Sequence, residues 1–287
     1  MAVNRGTHTA NGSRDVDLVV NVWERTAREV LQPAWFQRLE DSLRHQFSHK
    51  ILLINNLGRE EYRLRELWNL SGAGQVDEVV SVADRLPSVL DIVGLSASDL
   101  EPLSHYSDCA LVGCCVPRSP WFLYWDPFCE VVKEDEWILP AVYAMEASPE
   151  YLVANPSWWG FDAADRVAST AESRDWYVSY GFSDTVFLAR RDDFAKPIYR
   201  EWHLASLRYP FAHIGPIFEQ RVDSYMRTTF RKRLTHKHSM YRHRPEEMGA
   251  SHPRRISAMR RARRRMNMSI VAGLKAIRWV LPKEWWC

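Results

Sequence analysis

Residues 121–132 read Trp-Phe-Leu-Tyr-Trp-Asp-Pro-Phe-Cys-Glu-Val-Val. A five-residue apolar run stops at Asp126, and Pro127, which has no N–H to give to a ladder, ends regular pairing. A short strand that is apolar at every position must be buried on both faces, which constrains the fold to a sheet covered by helices on each side. The C-terminal end of such a strand presents Asp126 at the edge where open α/β sheets bind metals and phosphates. The same residues also fit a plain strand end closed by an Asp-Pro turn.

The residues around this run repeat the pattern. Solid apolar blocks at 17–23, 50–56, 77–84 and 121–125 predict four buried strands. Apolar residues at helical spacing in 33–45, 60–70, 86–95 and 104–116 predict the helices between them. Strand–helix alternation of this kind predicts a mostly parallel sheet with right-handed crossovers. Polar residues collect at the strand ends: Asn21, Glu24 and Arg25; Asn55 and Asn56; Asp84; Asp126. In a parallel sheet those ends share one edge. Further on, 151–156 and 184–190 predict two more strands. Residues 157–160 predict a turn carrying Trp158 and Trp159, and 161–175 a loop or lid. An amphipathic helix with Glu219 and Asp223 is expected over 211–227.

The net charge of +2 hides a division. From Arg227 onward there are 17 Lys/Arg and 3 Asp/Glu, a balance of +14; the preceding residues hold 21 and 33, a balance of −12. An acidic body with a basic tail predicts a tail that meets an anionic surface. The cysteines, Cys109, Cys114, Cys115, Cys129 and Cys287, form no Cys-x-x-Cys pair and have no zinc spacing with histidine, so reduced thiols in a cytosolic protein are expected. No apolar stretch reaches signal-peptide or membrane-spanning character.

Gly-x-Gly-x-x-Gly after a strand, Gly-x-x-x-x-Gly-Lys-[Ser/Thr] and Gly-x-Ser-x-Gly are all absent. This argues against a nicotinamide dehydrogenase, a P-loop ATPase and an α/β-hydrolase. What remains, an acid at the end of the fourth strand and an acid on a late helix, resembles the inverting glycosyltransferases of the GT-A fold, in the large family 2 group. The resemblance spans about residues 17–243. It implies an α/β, GT-A-like domain over 17–245, with a mostly parallel central sheet and helices on both faces. A flexible leader at 1–16 precedes it, and a basic amphipathic helical tail at 246–287 follows.

The resemblance also implies roles. Asn21, Glu24 and Arg25 would line the nucleotide end of the first strand. Asn55 and Asn56 stand where the family has an acid pair near the uridine or ribose, and Asp84 where a polar residue meets the base. Ser107 and Asp108 would approach the ribose and diphosphate. Asp126 would bind a Mg²⁺ or Mn²⁺ ion, with Glu130 assisting and His236 or His238 completing the shell. Phe128 stands where a second Asp is usual. Glu219 would be the catalytic base, with Asp184 and Asp223 in reserve.

The chemistry needs these groups in any case. A departing diphosphate gains charge that must be stabilised, and inversion needs a base opposite the leaving group to deprotonate the acceptor hydroxyl. The expectation is therefore transfer of a sugar from a nucleotide-diphosphate sugar to a glycan, lipid-linked or small-molecule acceptor. Trp158, Trp159 and Trp202 are candidate sugar-stacking residues, and Arg208 either contacts diphosphate or pairs with an acid of the body. A non-catalytic nucleotide-sugar-binding scaffold and, more weakly, a nucleotidyltransferase are the rivals. The tail, with Arg-rich 253–265 followed by mixed apolar and cationic residues, fits an interfacial helix on an anionic membrane. No nucleic-acid-binding module precedes it. The expected location is cytoplasmic, with the tail allowing a peripheral position at the inner face of the membrane.

Overall fold

A computed structural model describes residues 14–55, 66, 67, 69–71, 73–244 and 258–277. Its strands are β1 (Val16–Val22), β2 (His49–Ile54), β3 (Glu78–Ser81), β4 (Trp121–Trp125), β5 (Cys129–Lys133), β6 (Tyr151–Trp158), β7 (Ala171–Glu172), β8 (Trp176–Ser179), β9 (Val186–Arg190) and β10 (Lys232–His243). The longer helices are α1 (Trp35–Leu43), α2 (Val82–Val93), α3 (Asp108–Cys115), α4 (Ile138–Ala147), α5 (Asp162–Ala168), α6 (Phe218–Thr228) and α7 (Ala258–Ala276).

All the strands join one sheet in the order β3-β2-β1-β4-β9-β6-β10-β8-β7, with β5 also on β10. The pairs β3–β2, β2–β1, β1–β4 and β6–β10 are parallel. Strand β9 runs antiparallel between β4 and β6, and β5 and β8 run antiparallel to β10. The C-terminal ends of β1, β2, β3, β4, β6 and β10 therefore share one edge with the start of β9.

Alternation divides the apolar blocks between two cores. Leu18, Val20, Leu52, Trp121, Leu123 and Trp125 face α1 and α4, through Phe36, Leu39, Ile138 and Val142. Val19, Ile51, Leu53, Phe122 and Tyr124 face α2, α3 and α6, through Val89, Leu111, Phe218 and Val222. Two-sided burial is why these strands carry no polar face. The expected α/β architecture with helices on both sides is present, and the fourth strand has its expected limits.

Several local expectations are corrected. The third strand ends at Ser81, whose hydroxyl caps α2 by accepting the Asp84 N–H at 3.4 Å; Asp84 is an exposed first-turn acid rather than a strand terminator. Pro87 sits inside α2. Residues 161–175 hold α5 and β7 instead of an unstructured loop. The helix expected from 211 begins only at Phe218. Strand β10 was hidden by its basic side chains, and β5 by its proximity to Pro127. Asn56 and most of the helix expected over 60–70 lie outside the described residues. The tail helix α7 lies against the 204–208 segment through buried Asn267 and Val271.

Helix α3 approaches the sheet closely because it has a glycine where it crosses β4. A Cβ on Gly113 would meet the Tyr124 ring at 2.8 Å and Leu53 at 3.2 Å. This contact sets the height of α3, and with it the position of Asp108 at its N-terminus. Gly113→Ala is expected to cost about 1–3 kcal/mol through overpacking, despite alanine's better helix propensity, as measured by urea unfolding; unchanged stability would show that α3 sits higher than described.

Candidate active site

The site forms where β4 and β9 meet the C-terminal edge. Trp125 pairs with Val186, and the Asp126 N–H donates to the Thr185 carbonyl at 2.8 Å, so Asp126 and Asp184 follow each other across adjacent strands. The Asp126 carboxylate accepts the Phe128 N–H at 2.9 Å, and the Cys129 N–H bonds back to the Asp126 carbonyl at 2.8 Å. This is the Asp-Pro turn that the sequence offered as the plain alternative, and it leaves the aspartate on the ligand-binding edge.

Helix α6 approaches from the facing side. Its first-turn acid, Glu219, accepts the Asp184 backbone N–H, and the two side-chain carboxyls are hydrogen-bonded to each other. Both are half-buried, recessed among protein atoms but still reached by solvent. Desolvation, then the Asp184 charge, pushes Glu219 well above the ordinary carboxyl range. Desolvation also raises Asp184, to about 6, against the opposing effect of its hydrogen bonds. Two carboxyls this close cannot both ionise easily, so the pair retains a proton. Residues 184 and 219, named separately from sequence, thus form one unit.

Asp108 is on the same edge. It accepts the Asn55 amide at 3.3 Å and the Cys109 N–H at 2.6 Å, and burial raises its pKa. Burial, then the charges of Asp108, Asp184 and Asp126, holds the Cys109 thiol protonated. The charges of all three acids thus reach one half-buried thiol. Asn55 lies at the end of β2, joined to β1 by its N–H to the Val22 carbonyl at 2.8 Å. Asn21 on β1 and Ser107 before α3 are buried, and neither Asn21 Oδ1 nor Ser107 Oγ has a protein partner. Glu24 and Arg25 are exposed beyond β1, with Arg25 held 5.4 Å over the Trp23 ring. Trp23 meets Phe128 edge-on at 5.4 Å, joining the loop after β1 to the turn at Asp126.

The metal set expected from sequence does not converge. Glu130 lies on β5 and binds Arg242, with Arg244 at 3.8 Å, so its charge is already matched. His236 is inside β10; its Nδ1 accepts the Ser239 N–H at 3.1 Å, and burial lowers its pKa to about 4. His238 is 3.4 Å from Asp175. After burial, the largest charges acting on His236 are those of Asp135, His238, Asp175 and Lys133, none of them on the Asp126 edge. Among the described residues no three His, Cys, Asp or Glu side chains gather to hold an ion. The four residues therefore do not form one ligand set, and of them only Asp126 lies on this edge.

Asp223 is structural. It is fully buried and bonds Arg227 Nε at 2.8 Å, Ser206 Oγ at 2.6 Å and Arg208 at 3.4 Å. Burial alone would raise its pKa, but Arg208 and Arg227 outweigh that and lower it. Of the two readings of Arg208, pairing with an acid of the body is the one observed. An aromatic wall, unnoticed in the sequence apart from its tryptophan, flanks the site. Trp158 stacks on Phe161 at 4.8 Å, on His243 at 5.1 Å and on Tyr241 at 6.5 Å. The Tyr241 hydroxyl reaches Thr185 Oγ1 at 3.5 Å, beside Asp184. The pattern that could have found this wall is the spacing of Tyr241 and His243 on one strand face, masked by β10 being misread. Trp159 and Trp202 are exposed, outside these stacks.

No protein-family model and no curated protein sequence matches the chain. Solved structures similar to it include GalNAc-T7 with UDP, GalNAc and Mn²⁺, at 12% identity and a TM-score of 0.43 over 80% of this chain and 43% of that one. Galactosyltransferase LgtC with donor and acceptor sugar analogues matches at 15% identity and a TM-score of 0.35, over 63% of this chain and 59% of that one. Glucosyl-3-phosphoglycerate synthase from Mycobacterium tuberculosis, with Mn²⁺, UDP and glucosyl-3-phosphoglycerate, matches at 13% identity and a TM-score of 0.40, over 92% and 81%. The chain thus spans about half the length of the first two. All three are glycosyltransferases of the GT-A fold.

The carboxyl pair has a consequence for stability. Both groups hold protons to higher pH in the folded protein than in the unfolded chain, where carboxyls titrate near about 4. The folded state therefore binds more protons above that pH, and stability falls as pH rises toward the raised folded values. Glu219→Gln removes one of these titrations. The variant is expected to gain on the wild type as pH goes from 4.5 to 7.5, reaching an advantage of about 1 kcal/mol or more. Urea unfolding at several pH values measures this; a difference that does not vary with pH is incompatible with a shared proton.

Proposed function

We propose that this chain is a glycosyltransferase that moves a sugar from a nucleotide-diphosphate donor to an acceptor hydroxyl, with inversion. The supporting observation is the Asp184–Glu219 carboxyl pair beside Asp126 at the C-terminal edge of the sheet. A base for a sugar hydroxyl needs high proton affinity and solvent access, and desolvation plus a like charge supply the first without closing off the second. Glu219 takes the acceptor proton once the pair has lost its own. Asp184 raises the affinity of Glu219 and holds it in place through backbone and side chain.

The nucleotide is assigned to the β1–β2–α3 end of the edge. Asn21, Asn55, Ser107 and Asp108 offer hydrogen-bond groups suited to a ribose or base, and Arg25 gives an exposed cation for the diphosphate. Asp84 and Glu24 stay in this reading only as surface groups near that end. Asp126 is suited to accept hydrogen bonds from donor hydroxyls. Trp158 is partly exposed within its aromatic stack and offers indole surface for an acceptor sugar. Glycan, lipid-linked and small-molecule acceptors share the hydroxyl this arrangement uses.

The tail fits a supporting role at an anionic surface. No helix among the described residues is long and apolar enough to cross a membrane. In α7 the side chains of Asn267 and Val271 are turned to the body, while Arg261, Arg263, Arg264, Arg265 and Lys275 are exposed. Contact by charge, at about 1 kcal/mol per cation near the surface, suits this geometry better than insertion of an apolar face. Sedimentation with vesicles containing phosphatidylserine should pull the protein down at low salt and release it at high salt, whereas binding to neutral vesicles would contradict contact by charge.

Release of nucleoside diphosphate from a panel of nucleotide sugars, with and without Mn²⁺, tests the activity. Glu219→Gln should lower turnover about 10²–10⁴-fold, and Asp126→Ala should also lose turnover. Asp184→Asn removes the like charge, so the acid limb of its pH–rate profile should move to lower pH. Nucleotide-sugar binding without turnover, or release of pyrophosphate, would replace this reading with a scaffold or a nucleotidyltransferase.

A further inference from the structure

The opposite edge of the sheet holds a cavity of about 180 Å³, between the start of β4, the end of β9 and the turn before β6. That is room for roughly six water molecules at about 30 Å³ each. Trp121, Met145 and Pro149 give it apolar walls, and Arg190, Arg231 and Asp193 its charges. It is separate from the site above, since Trp121 and Trp125 are opposite ends of β4, about 13 Å of strand apart.

The charges are unequal. Trp121 and Arg190 are direct cross-strand partners, and the guanidinium lies 4.8 Å over the buried indole. That contact orients Arg190 but satisfies none of its N–H donors, and Arg190 makes no ion pair among the described residues. Asp193 is already matched twice, by Lys196 at 3.1 Å and by Arg231 at 2.9 Å. Arg231 uses one terminal nitrogen for that bond, while its Nε is buried with no partner. A buried donor left unpaired costs free energy unless something absent from the protein alone fills the place. Arg190 and Arg231 against Asp193 leave one positive charge among the residues that line this small half-apolar cavity, and Lys196 neutralises part of the Asp193 charge from outside it.

We infer that this cavity is a second binding site, non-catalytic, for a small phosphate-bearing anion. The Arg190 fork and the Arg231 Nε–H supply donors of the kind phosphate oxygens take, and the Trp121–Met145–Pro149 wall accommodates a few carbons. Free phosphate and a small phosphate monoester share this chemistry. The cavity joins the far ends of the two strands that carry Asp126 and lead from Asp184.

The test uses the full chain and inorganic phosphate at constant ionic strength, with chloride as the control, read as a thermal shift. Phosphate should raise the melting temperature saturably. Arg190→Gln should weaken its binding by about tenfold or more, as loss of a charge-assisted contact predicts. Pro149→Glu, at an exposed position on the rim, should abolish the effect by repulsion, and it decides the matter if Arg190→Gln does not fold. Nucleoside-diphosphate binding should be unchanged in both. A phosphate shift that persists in both variants, or is matched by chloride, overturns the inference. With the site established, tighter binding of glycerol phosphate than of inorganic phosphate identifies the occupant as a monoester; equal or weaker binding identifies free phosphate.

Discussion

The candidate base is where it is because of a buried ion pair one turn further along its helix. Asp223 and Arg227 are both fully buried on α6 and bond each other at 2.8 Å. Ser206 and Arg208 complete the carboxylate's partners from the segment before the helix. Removing one member of such a pair strands the other charge, at a cost of about 3–5 kcal/mol. The pair therefore tolerates essentially one placement of α6 against 204–208. The Arg227 guanidinium also lies 5.5 Å from the Tyr180 ring, which ties the helix to the chain leading into Asp184. Glu219 acquires its position from these contacts.

Satisfied and unsatisfied electrostatics are thus kept close together. Asp223 has two arginines and a hydroxyl, and its carboxylate is held ionised. Glu219, on the same helix, has another acid and the Asp184 amide beside it, and burial followed by the Asp184 charge pushes its pKa well up. Two acids on one helix are driven in opposite directions by their partners. The raised one is a standing cost to the fold at neutral pH.

Much of the frame was legible in the sequence. A run such as Trp121–Trp125 can be satisfied only between two apolar layers, so the strand, its burial and the helices on either side follow from the residues. Local signals failed where tertiary partners changed their meaning. The Lys/Arg/His-rich stretch 232–243 reads as a solvated basic segment. It is a sheet strand because β5, β6 and β8 all pair with it and its cations meet Glu130, Glu150, Asp165 and Glu172. Glu130 looked like a metal ligand by alternation from Asp126, but the turn at Pro127 sends it to β10. Asp84 looked like a strand end because a hydroxyl cap three residues earlier carries little weight in an apolar context.

The sequence by itself determined the layered α/β frame and the edge at which its acids emerge, since solid apolar blocks and an Asp-Pro stop admit few arrangements in water. It also marked Asp126, Asp184 and Glu219 as residues of interest. Only the tertiary structure decided that the Asp184 and Glu219 carboxyls meet, that Asp223 is tied to Arg208 and Arg227 instead, and that Glu130, His236 and His238 lie elsewhere. Proton affinity and ligand sets depend on distances across chain separations of tens of residues, and no local pattern encodes those distances.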